Sequence, residues 1–185
     1  SKVTFLMVGT VEPRKAYLQV LDAFDELWKD RLDVNLVIVG KEGWQDLPDE
    51  MRRDIPITVQ KIRQHSDLGK RLLWLDGISD EYLEKLYAAS SCLIAASYGE
   101  GFGLPLIEAA QHALPIIARN IPVFREIAGD HAYYFQGNNA EDLAWTIQAW
   151  LELYEQNAHP KSDDMAWLTW EQSAEQLKNI LVNRG

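Results

Sequence analysis

Two stretches of this sequence carry residues able to grip a ligand. The first is Gly9-Thr10-Val11-Glu12-Pro13-Arg14-Lys15, where a glycine turn leads to adjacent cations just ahead of a helical pattern. The planar guanidinium of Arg14 can fork two phosphate oxygens and Lys15 can act as a point charge, so a diphosphate suits the pair. Taken alone, the segment fits a solvated first helical turn better than a site. Two cations at a helix start oppose the helix dipole, however, and a bound anion would relieve that conflict. The stretch has neither a P-loop nor a G-x-G-x-x-G pattern, so ATP and NAD find no support in it.

The second stretch is Ser97-Tyr98-Gly99-Glu100-Gly101-Phe102-Gly103-Leu104-Pro105-Leu106-Ile107-Glu108-Ala109. Its glycines permit close backbone approach to a ligand, and the amides of Phe102, Gly103 and Leu104 are expected to point out of the helix that follows. Glu100 stands before that helix and Glu108 within it, so the two carboxylates can accept hydrogen bonds from two hydroxyl-bearing rings of one ligand. For Glu108 the alternative is an exposed helical acid; its apolar neighbours Leu104, Ile107 and Leu114 favour partial burial and a partner.

The elements that must position these residues alternate between β-rich runs and amphipathic segments. Strands are expected at 3–8, 34–39, 71–75, 92–96, 114–118 and 133–135. Between them, Tyr17, Val20, Leu21, Phe24, Leu27 and Trp28 recur at helical spacing. Short helices are expected near 46–53 and 58–66, a helix capped at Ser79 buries Leu83, Leu86 and Tyr87, and others cover 104–112 and 123–127. A long helix opens at Asn139 with Leu143, Ile147, Trp150, Leu151 and Tyr154 on one face, and a last one carries Trp167, Trp170, Ala174, Leu177 and Leu181. This is an α/β pattern: a Rossmann-like, doubly wound parallel sheet of about six strands with helices on both faces, whose ligands sit at the carboxyl ends of the strands.

At 185 residues, 47% of them hydrophobic, the chain suffices for one domain with a substantial core. A net charge of −10 repels nucleic acid and anionic lipid on average, although a few cations at one cleft can still hold a compact diphosphate. The lone Cys92 sits in an apolar run and reads as a buried, inert thiol in a reducing compartment. No run approaches the length of a membrane span. His65, His112, His131 and His159 lack metal-ligand spacing, so no metal is expected. Trp28, Trp74, Trp145, Trp150, Trp167 and Trp170 read mostly as packing residues, while Trp44 lies in a loop at the ligand end. Asp163 and Asp164 read as solvated.

The Glu100-x7-Glu108 spacing within EGFGLPLIEA, together with GTVEPRK upstream, resembles family 4 glycosyltransferases, which are retaining enzymes of the two-domain GT-B fold. The likeness extends through residues 76–83, Pro115-Ile116-Ile117-Ala118 and Pro122-Val123-Phe124-Arg125-Glu126. It implies that residues 1–185 form the single nucleotide-sugar-binding domain, the C-terminal half of a GT-B fold. The chain opens directly into a strand, and the expectation is that the N-terminal acceptor domain is absent from it. By the same resemblance Gly9, Arg14 and Lys15 hold the donor diphosphate, and Glu100 with Gly101, Phe102, Gly103 and Leu104 positions the transferred sugar. Glu108 binds the ribose, and Ile78 and Asp80 match the nucleobase position. The implied reaction is front-face transfer of a hexosyl group with retention, assisted by charge stabilisation at Arg14 and Lys15, with Glu100 positioning rather than attacking.

The implied donor is GDP-mannose first and a UDP-sugar second, without a metal. The implied acceptor is a growing polysaccharide or lipid-linked glycan, reached in the cytoplasm or at the inner face of the membrane. Ala16 departs from the glycine many relatives carry after the lysine, which is expected to narrow the room near the phosphates. The competing readings are a non-catalytic nucleotide-sugar-binding module and a GT-B-like sugar-nucleotide epimerase.

Overall fold

A computed structural model describes residues 2–166. Six parallel strands form one sheet in the order β3-β2-β1-β4-β5-β6. They are β1 (Val3–Val8), β2 (Val34–Val39), β3 (Leu72–Leu75), β4 (Cys92–Ala95), β5 (Ile116–Arg119) and β6 (Tyr133–Phe135). Among the described residues the α-helices are α1 (Tyr17–Lys29), α2 (Ile55–Arg63), α3 (Asp80–Ala89), α4 (Leu104–Gln111), α5 (Pro122–Ala128) and α6 (Ala140–Glu155).

Side chains alternate across each strand, so each strand feeds two cores. Phe5, Met7, Leu36, Ile38, Ile94 and Ile117 face α1, α2 and α6, where Phe24 and Trp150 both pack edge-on against Phe5 at centroid distances of 5.5 and 5.6 Å. Leu6, Val37, Val39, Leu93, Ile116 and Ala118 face the opposite way, onto Tyr87, Leu106, Ala109 and Phe124 of α3, α4 and α5. Burial on both faces is what near-continuous apolar strands require. Strand order reverses between β1 and β4, the position where a doubly wound sheet opens a crevice at its carboxyl edge. The loops leaving β1 and β4 carry the two candidate stretches.

Several elements differ from the sequence reading. Arg14 and Lys15 do not begin α1: they form a separate 3-10 turn, Pro13–Lys15, and Ala16 at φ 58° and ψ 36° separates it from the helix. The short helix expected near 46–53 is a three-residue 3-10 helix, Asp49–Met51, and α2 starts at Ile55, earlier than expected, because Pro56 fits in a first helical turn, where its missing N–H costs nothing. β5 begins two residues later than expected, at Ile116, and runs through Arg119. Trp145 is 79% exposed, not packed, since it lies across α6 from Leu143, Ile147 and Trp150. The expected last helix, with Trp167 and Trp170, lies outside the described residues.

Candidate functional site

The site is built where β1 and β4 end. Gly9 donates its N–H to the Val39 carbonyl at 2.9 Å and takes φ 149°, a conformation that favours glycine. A Cβ there would come 3.0 Å from Cε of Lys15, so the bare backbone at residue 9 makes room for the lysine side chain. The Tyr17 hydroxyl donates to the Gly9 carbonyl and ties the start of α1 to the same turn. Burial pushes the Tyr17 phenol well above its ordinary value, so it remains a donor.

Lys15 and Glu100 meet across 85 residues of sequence, each side chain only 10% exposed, with the ammonium donating to the carboxylate. Ser97 Oγ donates to the same carboxylate oxygen at 2.8 Å, and Arg14 Nη1 donates to the other at 3.1 Å. Burial alone would raise the Glu100 carboxyl. The hydrogen bonds from Lys15 and Ser97, with the charges of Lys15 and Arg14, outweigh it and hold the group below the usual carboxylate range. Arg14 Nε also donates to Glu12 at 2.7 Å, a bond that raises the guanidinium further. The Arg14 side chain is 51% exposed, so one cation is buried while its neighbour, paired with Glu12 and Glu100, reaches solvent. The main chains are joined as well, with Tyr98 N–H donating to the Arg14 carbonyl at 2.9 Å. Lys15, Ser97 and Glu100 line a hollow together with Pro105, Leu106 and Phe124.

Gly103 takes φ 59° as the residue before α4, and a Cβ there would lie 2.6 Å from Ile127, so the approach to the helix is closed to larger residues. Pro105 has no N–H and the Leu106 N–H donates to the Gly103 carbonyl at 3.0 Å, so within the first turn of α4 the Leu104 amide is the one suited to an oxygen atom of a ligand. Phe102 is 81% exposed and Leu104 is also exposed at the mouth. Glu108 is half-buried and does have a partner: the Tyr87 hydroxyl of α3 donates to it at 2.6 Å. Ile78 is half-buried in the β3–α3 loop and Asp80 is exposed at the start of α3. Glu108, Ile78 and Asp80 thus belong to the α3–α4 side. They make no direct bond to the cluster of Lys15, Arg14 and Glu100.

Two supports escaped the sequence reading. Ser97 was visible in the motif, but its bond to Glu100 depends on the loop conformation. Arg119 is 95% buried in relative terms, only 5% exposed, and donates to the carbonyls of Ala96 at 2.8 Å and Gly137 at 2.6 Å and to side-chain oxygens of Asn138 and Gln19. Its guanidinium stacks over Tyr98 at 4.3 Å and Phe135 at 4.8 Å. Burial lowers its pKa from the ordinary arginine value. A lone cation ending an otherwise apolar strand at the ligand edge was the signal available in sequence.

The histidines serve structure. His65 Nε2 lies 2.7 Å from Asp25, His112 stacks on Tyr87, and His159 packs against Trp150 and Tyr154. Among the described residues no group of three or more His, Cys, Asp or Glu is placed to hold a metal, and no helix is long and apolar enough to cross a membrane. Cys92 is buried, which pushes its thiol up.

A sheet of this order with a cationic turn and a glycine-bounded acid at its switch point defines a Rossmann-like domain of the GT-B C-terminal type. Residues 1–164 match the family described as glycosyl transferases group 1, and the chain belongs to that family. It is 56% identical over 180 residues to the serotype-specific mannosyltransferase WbdA of Escherichia coli, covering 97% of this chain and 21% of that protein. The chain therefore spans about a fifth of the length of the WbdA relatives it matches. Among solved structures, sucrose-phosphate synthase from Thermosynechococcus elongatus aligns with a TM-score of 0.77 at 25% identity, over 100% of this chain and 47% of that one. The C-terminal domain of the group 1 glycosyl transferase LpcC from Francisella tularensis aligns at 0.68 and 19% identity, over 88% and 81%.

Proposed function

We propose that this chain is the donor-binding domain of a retaining mannosyltransferase that builds a bacterial surface polysaccharide from GDP-mannose, with a UDP-sugar as the second choice of donor. The observation that carries the proposal is the Lys15–Glu100–Arg14 cluster, two cations held by one depressed carboxylate at the switch point of the sheet. Family membership and the mannosyltransferase relatives support it.

In the free domain Glu100 keeps both cations in place and compensates their charge. A donor diphosphate would draw Lys15 and Arg14 onto its oxygens, stabilising the charge that grows on the leaving phosphate. Two such cations can neutralise a diphosphate without a metal. Glu100, released from the cations, would accept hydrogen bonds from hydroxyls of the transferred sugar, aided by Gly101 and the amides of Phe102, Gly103 and Leu104. Glu108, steadied by Tyr87, would take the ribose hydroxyls, with Ile78 and Asp80 beside the base. No residue is required as nucleophile, because the departing diphosphate can take the acceptor's proton on the same face. The acceptor, a glycan or lipid-linked chain, would be brought by a preceding domain, in the cytoplasm where sugar nucleotides are available or at the inner membrane face.

Calorimetric titration with GDP-mannose, GDP, UDP-glucose and UDP, with and without magnesium, tests the reading. GDP compounds are expected to bind tighter than UDP compounds, with no need for magnesium. A preference for UDP compounds would replace the proposed donor, and strict magnesium dependence would contradict the role given to the two cations.

A further inference from the structure

Two hollows lie near the β1 and β4 loops, whose main chains are joined by the bond from Tyr98 N–H to the Arg14 carbonyl. One holds Lys15 and Glu100. The other is a groove lined by Gln19, Asp54, Tyr98, Asn138, Asn139 and Glu141 among others, and no lysine or arginine lines it. We propose that this second groove binds an uncharged saccharide; on the function proposed above, that saccharide is a stretch of the acceptor glycan.

Four features of the groove converge on this chemistry. Tyr98 is 47% exposed, and the Arg119 guanidinium packs over its ring at 4.3 Å, so the exposed part of the ring is turned away from a rigid, buried support. A fixed aromatic surface suits the C–H face of a sugar ring, as apolar area with little conformational entropy to lose. Asn138 Oδ1 accepts from Arg119 at 3.2 Å, and the Asn139 side-chain oxygen caps α6, which leaves the NH₂ groups of both amides to donate outward. Asp54 lines the same groove and brings a carboxylate, an acceptor, to its wall. Donating amides beside accepting carboxylates match vicinal hydroxyls, which do both.

The same lining disfavours a phosphate. Asp22, Asp54 and Glu141 all contribute to it and no cation does, the reverse of the neighbouring hollow. Pro13 and Ala16, which flank Arg14 and Lys15 in the chain, line the groove, so a ligand there lies next to the turn that carries the phosphate-binding cations.

The test is a ¹⁵N–¹H titration of this chain with linear α-linked mannotriose, and separately with GDP. At roughly 10 mM trisaccharide, enough to register a millimolar Kd, shifts are expected at the side-chain amides of Gln19, Asn138 and Asn139 and at the main chain of Tyr98. Tyr98→Leu keeps the main-chain bond to Arg14 and removes the aromatic face; it is expected to weaken the trisaccharide about three- to tenfold, and Tyr98→Phe to restore it. The amide spectrum of each variant reports whether it is folded. Absence of trisaccharide shifts in the groove, or equal binding by folded Leu and Phe variants, overturns the inference. The GDP arm is separate: shifts at Lys15 and Glu100 with GDP but none with trisaccharide would leave the donor reading standing while this one fails.

Discussion

Replacing Glu100 by glutamine should tighten GDP binding while loosening the fold. Glu100 accepts from Lys15, from Arg14 at 3.1 Å and from Ser97 at 2.8 Å, with its side chain 10% exposed. A phosphate taken by the same two cations would lie about 6 Å from the carboxylate, where unit like charges at an effective dielectric of 20 repel by about 2–3 kcal/mol. The half-exposed Arg14 admits solvent, so about 1 kcal/mol is the better figure, roughly a fivefold gain in GDP affinity for Glu100→Gln. Removing the charge also strands the buried Lys15 beside a neutral amide, at a cost of about 1–3 kcal/mol of stability. For GDP-mannose the gain should vanish, because glutamine is a weaker acceptor for the sugar hydroxyls. Calorimetry with both ligands and urea unfolding of both proteins check this. Equal weakening of GDP and GDP-mannose would refute the idea that Glu100 competes with the phosphate for the cations.

Other substitutions and pH probe the scaffold. Ala16→Gly should stabilise by about 0.5 kcal/mol in urea unfolding, because relief of left-handed strain at φ 58° exceeds the extra entropy glycine gives the unfolded chain. Arg119→Met should cost about 3–5 kcal/mol by leaving Gln19 and the carbonyls of Ala96 and Gly137 unpaired, with Arg119→Lys recovering part of the loss. On acidification, stability should fall in two stages, followed as the thermal midpoint. Burial first, then Lys161, depresses the His159 imidazole, so the unfolded chain takes up its proton first and stability declines below about pH 6.5. Asp25, Asp67 and Glu100 also have lowered folded values, so their contribution is present above about pH 4 and is lost as pH falls through those values. His159→Gln should remove the first stage and leave the second.

Much of the sheet was legible because buried parallel strands are largely apolar runs, and glycine follows two of them directly: β1 and β2 fall where the sequence placed them, as does the short aromatic run of β6. The start of β5 was harder, since Leu114 and Pro115 are apolar and the Pro115 carbonyl already accepts from Leu93 at 2.8 Å, ahead of the strand proper. Trp145 was misplaced by reading hydrophobicity without angle; two residues from Leu143, it faces the far side of α6. The site residues were legible as types within motifs, but the union of Lys15 with Glu100 follows from β1 and β4 being neighbours, which sequence spacing does not record. The Ala16 departure acts on the backbone: its left-handed conformation places the strain in the chain between the cationic turn and α1. The Tyr87–Glu108 bond and the buried Arg119 network are likewise products of tertiary packing.

The most direct measurement of the central claim is GDP-mannose affinity by calorimetry for this chain and for Arg14→Ala/Lys15→Ala. Binding is expected to be metal-independent and to weaken about a hundredfold or more in the double variant, the loss expected for two charge-assisted phosphate contacts. A folded double variant that binds GDP-mannose as tightly as the parent would contradict it.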